Sequence, residues 1–247
     1  MNTPLYIISD VHGCYETLMA LVAKLPPKAT LVFTGDLIDR GPDSTKVLEF
    51  VKEGGHACVM GNHEKMFLEA MDITQSLIDQ TIATKLWLQN GGDTTQESID
   101  SAFSQEKLET YITWIASLPS FLEYNIPDEN GKTLFVTHGF GLPYWNRRHT
   151  SNYHSRFRHN RFKKRIDTPK VREHYDYDKD YMDHPVFNVF GHDPQEEGKV
   201  LLTDSYAAID TGCVYGMLHR GLPVLKHASL SALEWPSKRI IQQRYIG

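Results

Sequence analysis

The sequence predicts an α/β protein of the α+β sandwich kind: two mixed β-sheets packed together and flanked by helices, with a helical insertion. Three observations predict it. The apolar runs Leu5–Ile8, Thr30–Phe33 and Ala57–Met60 each end in a polar loop and are separated by stretches of helical periodicity. A β-α-β-α-β pattern of this kind builds a parallel sheet. Residues 64–118 are helical in pattern throughout, and from Phe121 onward short strands return. Those later strands suggest a second, mostly antiparallel sheet packed on the first.

The elements follow in order. After the first strand, Gly13 permits a tight turn, and Leu18, Leu21, Val22 and Leu25 recur at helical spacing until Pro26-Pro27 ends the helix. After the second strand, Ser44 can cap a helix whose apolar face is Val47, Leu48 and Val51, stopped by Gly54-Gly55. In the helical block, Met66, Phe67, Ala70 and Met71 share a face that Leu77, Ile78, Ile82 and Leu86 continue. Trp87 to Asp93 reads as a helix end with glycine in the terminating position, and Leu108, Tyr111, Ile112 and Ile115 mark a last helix. Little in this block carries chemistry, so it is expected to shape access, with Trp87 serving packing.

Phe121–Ile126 and Thr133–Val136 read as a hairpin around Asp128-Glu129-Asn130-Gly131. Residues 147–184 form a basic stretch followed by an acidic and aromatic one, expected to pair with each other on the surface. Val186–Phe190 is a strand, and further strands are expected at 200–203, 207–210, 216–219 and 223–226.

A length of 247 residues fits one large domain, read as 1–247, and 40% hydrophobic with 23% charged residues is the composition of a folded globular chain. A net charge of -5 gives no reason to expect nucleic-acid binding. The three cysteines, Cys14, Cys58 and Cys213, form neither a CxxC pair nor a disulfide framework, and cytoplasm is the simplest compartment. Neither a leader nor a membrane span is expected.

The strand-end loops present Asp10 and His12, Asp36, Asn62 and His63, His138, and His192. A single Asp-x-His after a strand is weak, and Gly-Asn-His-Glu alone could be a helix cap with Asn62 as the capping residue. Repetition of the same strand-then-ligand grammar across one chain is what points to metal. The donors are oxygens and imidazoles without thiolate. An economical assignment has Asp36 bridging two divalent ions, Asp10 and His12 completing one shell, and Asn62, His138 and His192 the other. Two ions about 3.5 Å apart suit in-line attack on phosphorus.

The set Ser9-Asp10-Val11-His12-Gly13, Gly35-Asp36-Leu37-Ile38-Asp39-Arg40-Gly41, Gly61-Asn62-His63-Glu64, His138-Gly139 and Gly191-His192 resembles the metallophosphoesterases of the phosphoprotein phosphatase type, in particular their bacterial serine/threonine branch. Ser9 stands where the family has Gly. Asp210-Thr211-Gly212-Cys213 is similar to the bacterial form of the late loop and unlike the eukaryotic one. The resemblance implies a calcineurin-like fold and hydrolysis of phosphoserine and phosphothreonine in proteins by a metal-bridging hydroxide. The ions it implies are Mn first, with Fe, Zn or Co permitted. It makes Asp10, His12, Asp36, Asn62, His138 and His192 the metal ligands, with Asn62 also facing substrate. Arg40 binds phosphate, His63 protonates the leaving alkoxide, and Asp39 orients His63. The family's second phosphate-binding arginine falls on Arg161, with Arg158 and Arg156 behind it. The implied partner is a phosphoprotein or phosphopeptide, with neither nucleic acid nor membrane.

The same fold also carries dinucleoside polyphosphate hydrolases, similar to this chain in Arg40-Gly41-Pro42 and Gly212-Cys213-Val214. Those relatives lack the acid at Asp39 and carry Asp at Glu64, which favours the phosphatase. A non-catalytic binding protein on a degenerate fold is opposed by the intact ligand set.

Overall fold

The computed structural model describes residues 4–73, 79–150, 154–159, 178–217 and 224–247. Its first sheet has the strand order β10-β9-β1-β2-β3. The strands are β1 (Leu5–Ile8), β2 (Thr30–Phe33), β3 (Ala57–Cys58), β9 (Ser229–Trp235) and β10 (Arg239–Arg244). β1, β2 and β3 run parallel, and β9 and β10 add antiparallel on the other side of β1. The second sheet has the order β4-β5-β6-β8-β7, with β4 (Phe121–Tyr124), β5 (Thr133–Thr137), β6 (Val186–Phe190), β7 (Leu201–Leu202) and β8 (Tyr206–Ala208).

Both sheets are mixed. The second is not mostly antiparallel: β5, β6 and β8 run parallel at its centre, and only the edge strands β4 and β7 are antiparallel. The expected strands at 216–219 and 223–226 are absent where described. Cys213–Gly216 is a turn of 3-10 helix, residues 218–223 lie outside the described residues, and the chain re-enters a sheet only at Ser229.

Alternation along each strand explains the layering. Leu5, Ile7, Val32 and Val59 face the second sheet and meet Val136, Phe187, Val189 and Ile209 there. Tyr6, Ile8, Leu31 and Phe33 point the other way, onto Leu18 and Leu21 of α1 (Tyr15–Val22) and Val47, Leu48 and Val51 of α2 (Ser44–Glu53). The outer face of the second sheet carries Phe135, Phe190 and Ala208 under Phe140, Tyr144 and Phe157.

The helical block comprises α3 (Asn62–Ala70), α4 (Gln80–Trp87), a π-helical turn (Leu88–Gly92), α5 (Asp93–Ala102) and α6 (Gln105–Ala116). Leu77 and Ile78 lie outside the described residues. Ile82 and Leu86 are exposed, and the buried face of α4 is Ala83 and Trp87, one position further on. A short helix, α7 (His154–His159), is joined to the loop after β5 by a Gly139 N–H bond to the Phe157 carbonyl. Among the described residues no helix is long and apolar enough to cross a membrane.

Candidate active site

The loops that follow β1, β2, β3, β5 and β6 open at one edge, where parallel strands deliver their C-terminal ends. Backbone bonds weld the first two together: the N–H groups of Val11 and His12 both donate to the Asp36 carbonyl, at 3.1 and 2.9 Å, and Gly13 N–H donates to the Leu37 carbonyl at 2.8 Å. His12, Asp36, Asp39, Arg40 and His192 all have positive φ, between 47° and 74°. Five non-glycine residues in that region, all at one site, are backbone strain held by the surrounding fold.

Asp36 sits at the centre. Its Oδ2 lies 3.7 Å from His12 Nε2, 3.4 Å from His138 Nε2 and 4.0 Å from His63 Nε2. His138 Nε2 is also 2.9 Å from Asn62 Oδ1 and 3.1 Å from His192 Nδ1. Among the described residues two groups could each hold a metal ion: His12, Asp36 and His63, and Asp36, His138 and His192. Asp36 is common to both, and the donors are oxygen and imidazole nitrogen. The far ring nitrogens are pinned as in metal-binding histidines: His12 Nδ1 pairs with the Ile38 carbonyl and His138 Nδ1 with the Thr34 carbonyl, each at 2.8 Å. The residues therefore fit a pair of divalent ions.

Asp10 is held beside them by Thr34 Oγ1, which donates to it at 3.2 Å, and by the His192 N–H, 2.9 Å from Oδ2. A side chain at position 191 would collide with the Asp10 carboxylate, so glycine is needed there.

The electrostatics follow from burial and crowding. Burial raises the Asp10 carboxyl well above the usual range, and Asp210 and Asp36 add to the rise. Burial acts the same way on Asp36, but His138 and His63 outweigh it and hold that carboxyl well below the usual range. Burial, Arg40 and His63 depress His12, which keeps its imidazole neutral. Burial would also depress His138, yet Asp36 and Asp10 raise it to about 10.

His63 is buried, with Nδ1 2.6 Å from Asp39 Oδ2. Asp39 Oδ1 accepts from Trp87 Nε1 at 2.9 Å and from Thr95 Oγ1 at 2.8 Å. The Asp39 N–H donates to Thr95 Oγ1 and more weakly to Ser44 Oγ. Ser44 is thus not the cap of α2; Asp43 holds that position and the Ser44 hydroxyl turns to the loop. Trp87 packs on Phe67 as expected, but it also reaches the site, so the helical block does carry chemistry-bearing contacts.

Arg40 Nη1 donates to His12 Nε2 at 3.0 Å, and its guanidinium lies 5.8 Å from the Tyr215 ring centroid. Arg161 lies outside the described residues. Of the other basic residues in its stretch, Arg147 pairs with Asp178 at 3.0 Å, and Arg148 pairs with Glu123 at 3.1 Å and stacks on Trp145. Arg158 donates to Ser120 Oγ at 2.8 Å.

Two acids were not singled out as site residues. Glu64 accepts from the N–H groups of Asp36, Leu37 and Gly61 at 2.9, 2.7 and 2.9 Å, clamping the second loop to the third, and burial pushes its carboxyl up to about 6. Gly61, not Asn62, is the N-cap of α3, and a Glu at the third helical position is the sequence signal of that clamp. Asp210 follows β8 in the same strand-then-acid order, and burial likewise raises it to about 6.

The model of the calcineurin-like phosphoesterases matches residues 3–220, most of the chain and every loop above. The chain belongs to that family. It is 42% identical over 91 residues to serine/threonine-protein phosphatase 1 of Salmonella typhimurium, covering 36% of this chain and 38% of that protein. It is 34% identical over 145 residues to the symmetrical bis(5'-nucleosyl)-tetraphosphatase of Photorhabdus laumondii, covering 57% of this chain and 45% of that one. The chain thus spans less than half the length of either relative. A crystal structure provisionally assigned as a diadenosine tetraphosphatase superposes with a TM-score of 0.58 at 20% identity, over 99% of this chain and 95% of that one, which shows the shared fold.

Proposed function

We propose that this phosphoesterase hydrolyses phosphoserine and phosphothreonine monoesters in proteins with two divalent ions, Mn before Fe, Zn or Co. Asp10, His12, Asp36, Asn62, His138 and His192 would hold the ions, with Asp36 shared. When bound, such ions supply Lewis-acid activation of water and neutralise charge on phosphoryl oxygens. The cytoplasm is the proposed compartment, in keeping with three unpaired buried thiols.

The observation that carries this reading is the buried His63–Asp39 pair. A serine or threonine alkoxide is a strong base and leaves poorly without a proton, whereas the phosphate oxygen released from a dinucleoside tetraphosphate is a weak base. Asp39 accepts Nδ1–H and supports the protonated ring, leaving Nε2–H to meet the leaving oxygen. Arg40 presents its planar fork to the phosphoryl oxygens. Asn62 Oδ1 lies 2.9 Å from His138 Nε2 among the candidate ligands.

The alternative substrate, a dinucleoside tetraphosphate, rests on the Photorhabdus relative. Rates on a phosphoserine peptide and on diadenosine tetraphosphate, each with and without Mn²⁺, test the two. Higher kcat/KM on the tetraphosphate would overturn our reading.

A further inference from the structure

A cavity of about 870 Å³ opens directly beside Arg40, on the side of the helical block. It is within the size range of ligand clefts, roughly 300–1,000 Å³. Its position is fixed by the backbone. The Arg40 N–H donates to the Gly91 carbonyl at 2.9 Å, and a Cβ on Gly91 would stand 2.7 Å from Arg40 Cγ. Only glycine, at φ 96°, lets the π-helical turn press so closely on that arginine. Arg40 itself lines the opening, so a molecule whose phosphoryl group it holds has this cavity within reach.

The wall is mixed: the amides of Gln80, Gln89 and Asn90 and the hydroxyls of Thr81 and Thr84 alternate with the apolar Leu88 and the stems of the longer side chains, and the half-buried Asp93 stands at its edge. Gln80, Thr84 and Asn90 already donate to the carbonyls of Ala70, Ala70 and Leu86, which leaves their oxygens and the Thr81 and Gln89 side chains to meet the N–H and C=O groups of an extended peptide. Proteins that read a nucleobase stack it on aromatic or apolar faces. No aromatic side chain lines this cavity among the described residues. Lys85 adds a cation on the wall; it is exposed and makes no ion pair among the described residues, so its charge is open to a ligand.

We propose that this cavity is the subsite for the peptide flanking the phosphorylated residue, and that Lys85 gives it a preference for acidic side chains there. The proposal rests on the phosphoprotein reading above and names a feature of its substrates. Neither Lys85 nor Thr84 belongs to the catalytic machinery, and p-nitrophenyl phosphate is too small to need the subsite.

The experiment compares three substrates on the Mn²⁺-loaded full chain: a phosphoserine peptide with Glu flanks, the same peptide with Lys flanks, and p-nitrophenyl phosphate. The variants are Lys85→Glu and Thr84→Trp. Exposed charge pairs contribute about 0.2–1 kcal/mol, so the native protein should prefer the acidic peptide by about 1.4- to fivefold in kcat/KM. Lys85→Glu should reverse that order, and Thr84→Trp should weaken both peptides through KM, with p-nitrophenyl phosphate unchanged by either. Peptide turnover indifferent to flanking charge and to both substitutions would overturn the subsite and leave the protein phosphatase reading standing. Failure of the native protein to turn over either peptide, while p-nitrophenyl phosphate is hydrolysed, would overturn both. A KM for diadenosine tetraphosphate raised by Thr84→Trp, with peptides unaffected, would make the cavity a nucleotide site and overturn the proposal.

Discussion

Trp87→Phe separates the two tasks of one side chain. The substitution keeps an aromatic ring against Phe67 and removes the Nε1–H that reaches Asp39 Oδ1 at 2.9 Å. Asp39 then keeps Thr95 as its other side-chain donor on Oδ1 and His63 on Oδ2. A hydrogen bond to a charged group contributes about 1.5–3 kcal/mol, and with one donor retained the lower end applies, roughly 1.5 kcal/mol or tenfold. If that loss loosens Asp39, it weakens proton donation by His63, and a substrate with a basic leaving group suffers most. The assay is kcat on a phosphoserine peptide and on p-nitrophenyl phosphate, with Tm measured in parallel. The expected result is about a tenfold loss on the peptide and a smaller one on the phenyl ester. An equal loss on both substrates, or a lowered Tm with both rates intact, would refute the link from Trp87 to acid catalysis. Trp87→Ala, which also empties a buried site, should cost about 3–5 kcal/mol of stability.

Three further outcomes are expected. Asp36→Asn should abolish turnover even in excess metal and lower the metal content found by elemental analysis, because both candidate groups share that carboxylate; near-normal activity would contradict the shared role. His63→Asn should keep its metals and lose about 10²–10⁴-fold on the phosphoserine peptide but less on p-nitrophenyl phosphate, with Asp39→Asn following in the same order but more mildly; loss of an ion in His63→Asn would make His63 a ligand, as its place beside His12 and Asp36 also permits. In the metal-free protein, Asp36 and Asp10 overcome burial to raise His138 to about 10, above its unfolded value. That contribution is fully present below about pH 6.5 and is lost as pH rises toward 10, so Tm of the chelator-treated protein should fall across that window. Bound metal displaces the proton, and the metal-loaded protein should show a flatter curve.

The first three βα units were legible because each is local: an apolar run, a polar loop and a helix within some 25 residues. The loops that bring Asp10, His12, Asp36, Asn62, His138 and His192 to one edge were legible for the same reason, since their residue types repeat after each strand. β9 and β10 were not. The alternation of Ser229, Leu230 and Ser231 breaks at Ala232-Leu233, as suits a strand that lies between two neighbours and is buried on both faces except at Glu234, and β10, Arg239-Ile240-Ile241-Gln242-Gln243-Arg244, has no period of two. The surroundings of Asp39 were illegible because Trp87 and Thr95 stand 48 and 56 residues away, and only tertiary packing brings them to it. Ile82 and Leu86 misled for a related reason: their spacing is helical, but α4 turns Ala83 and Trp87 inward instead.

The pairing of β1 with β9 has a consequence for the order of synthesis. Residues 5–8 take their antiparallel partner from residues 232–235, and the Ser9 N–H, next to Asp10, donates to the Ser231 carbonyl at 3.0 Å. On the ribosome, the loop bearing Asp10 and His12 is translated before β9 and waits for every residue between them before its strand is flanked on both sides. Contacts of such sequence separation are closed late and slowly. A growing chain therefore holds its first candidate ligands in an unfinished sheet until residues 229–235 have emerged and docked.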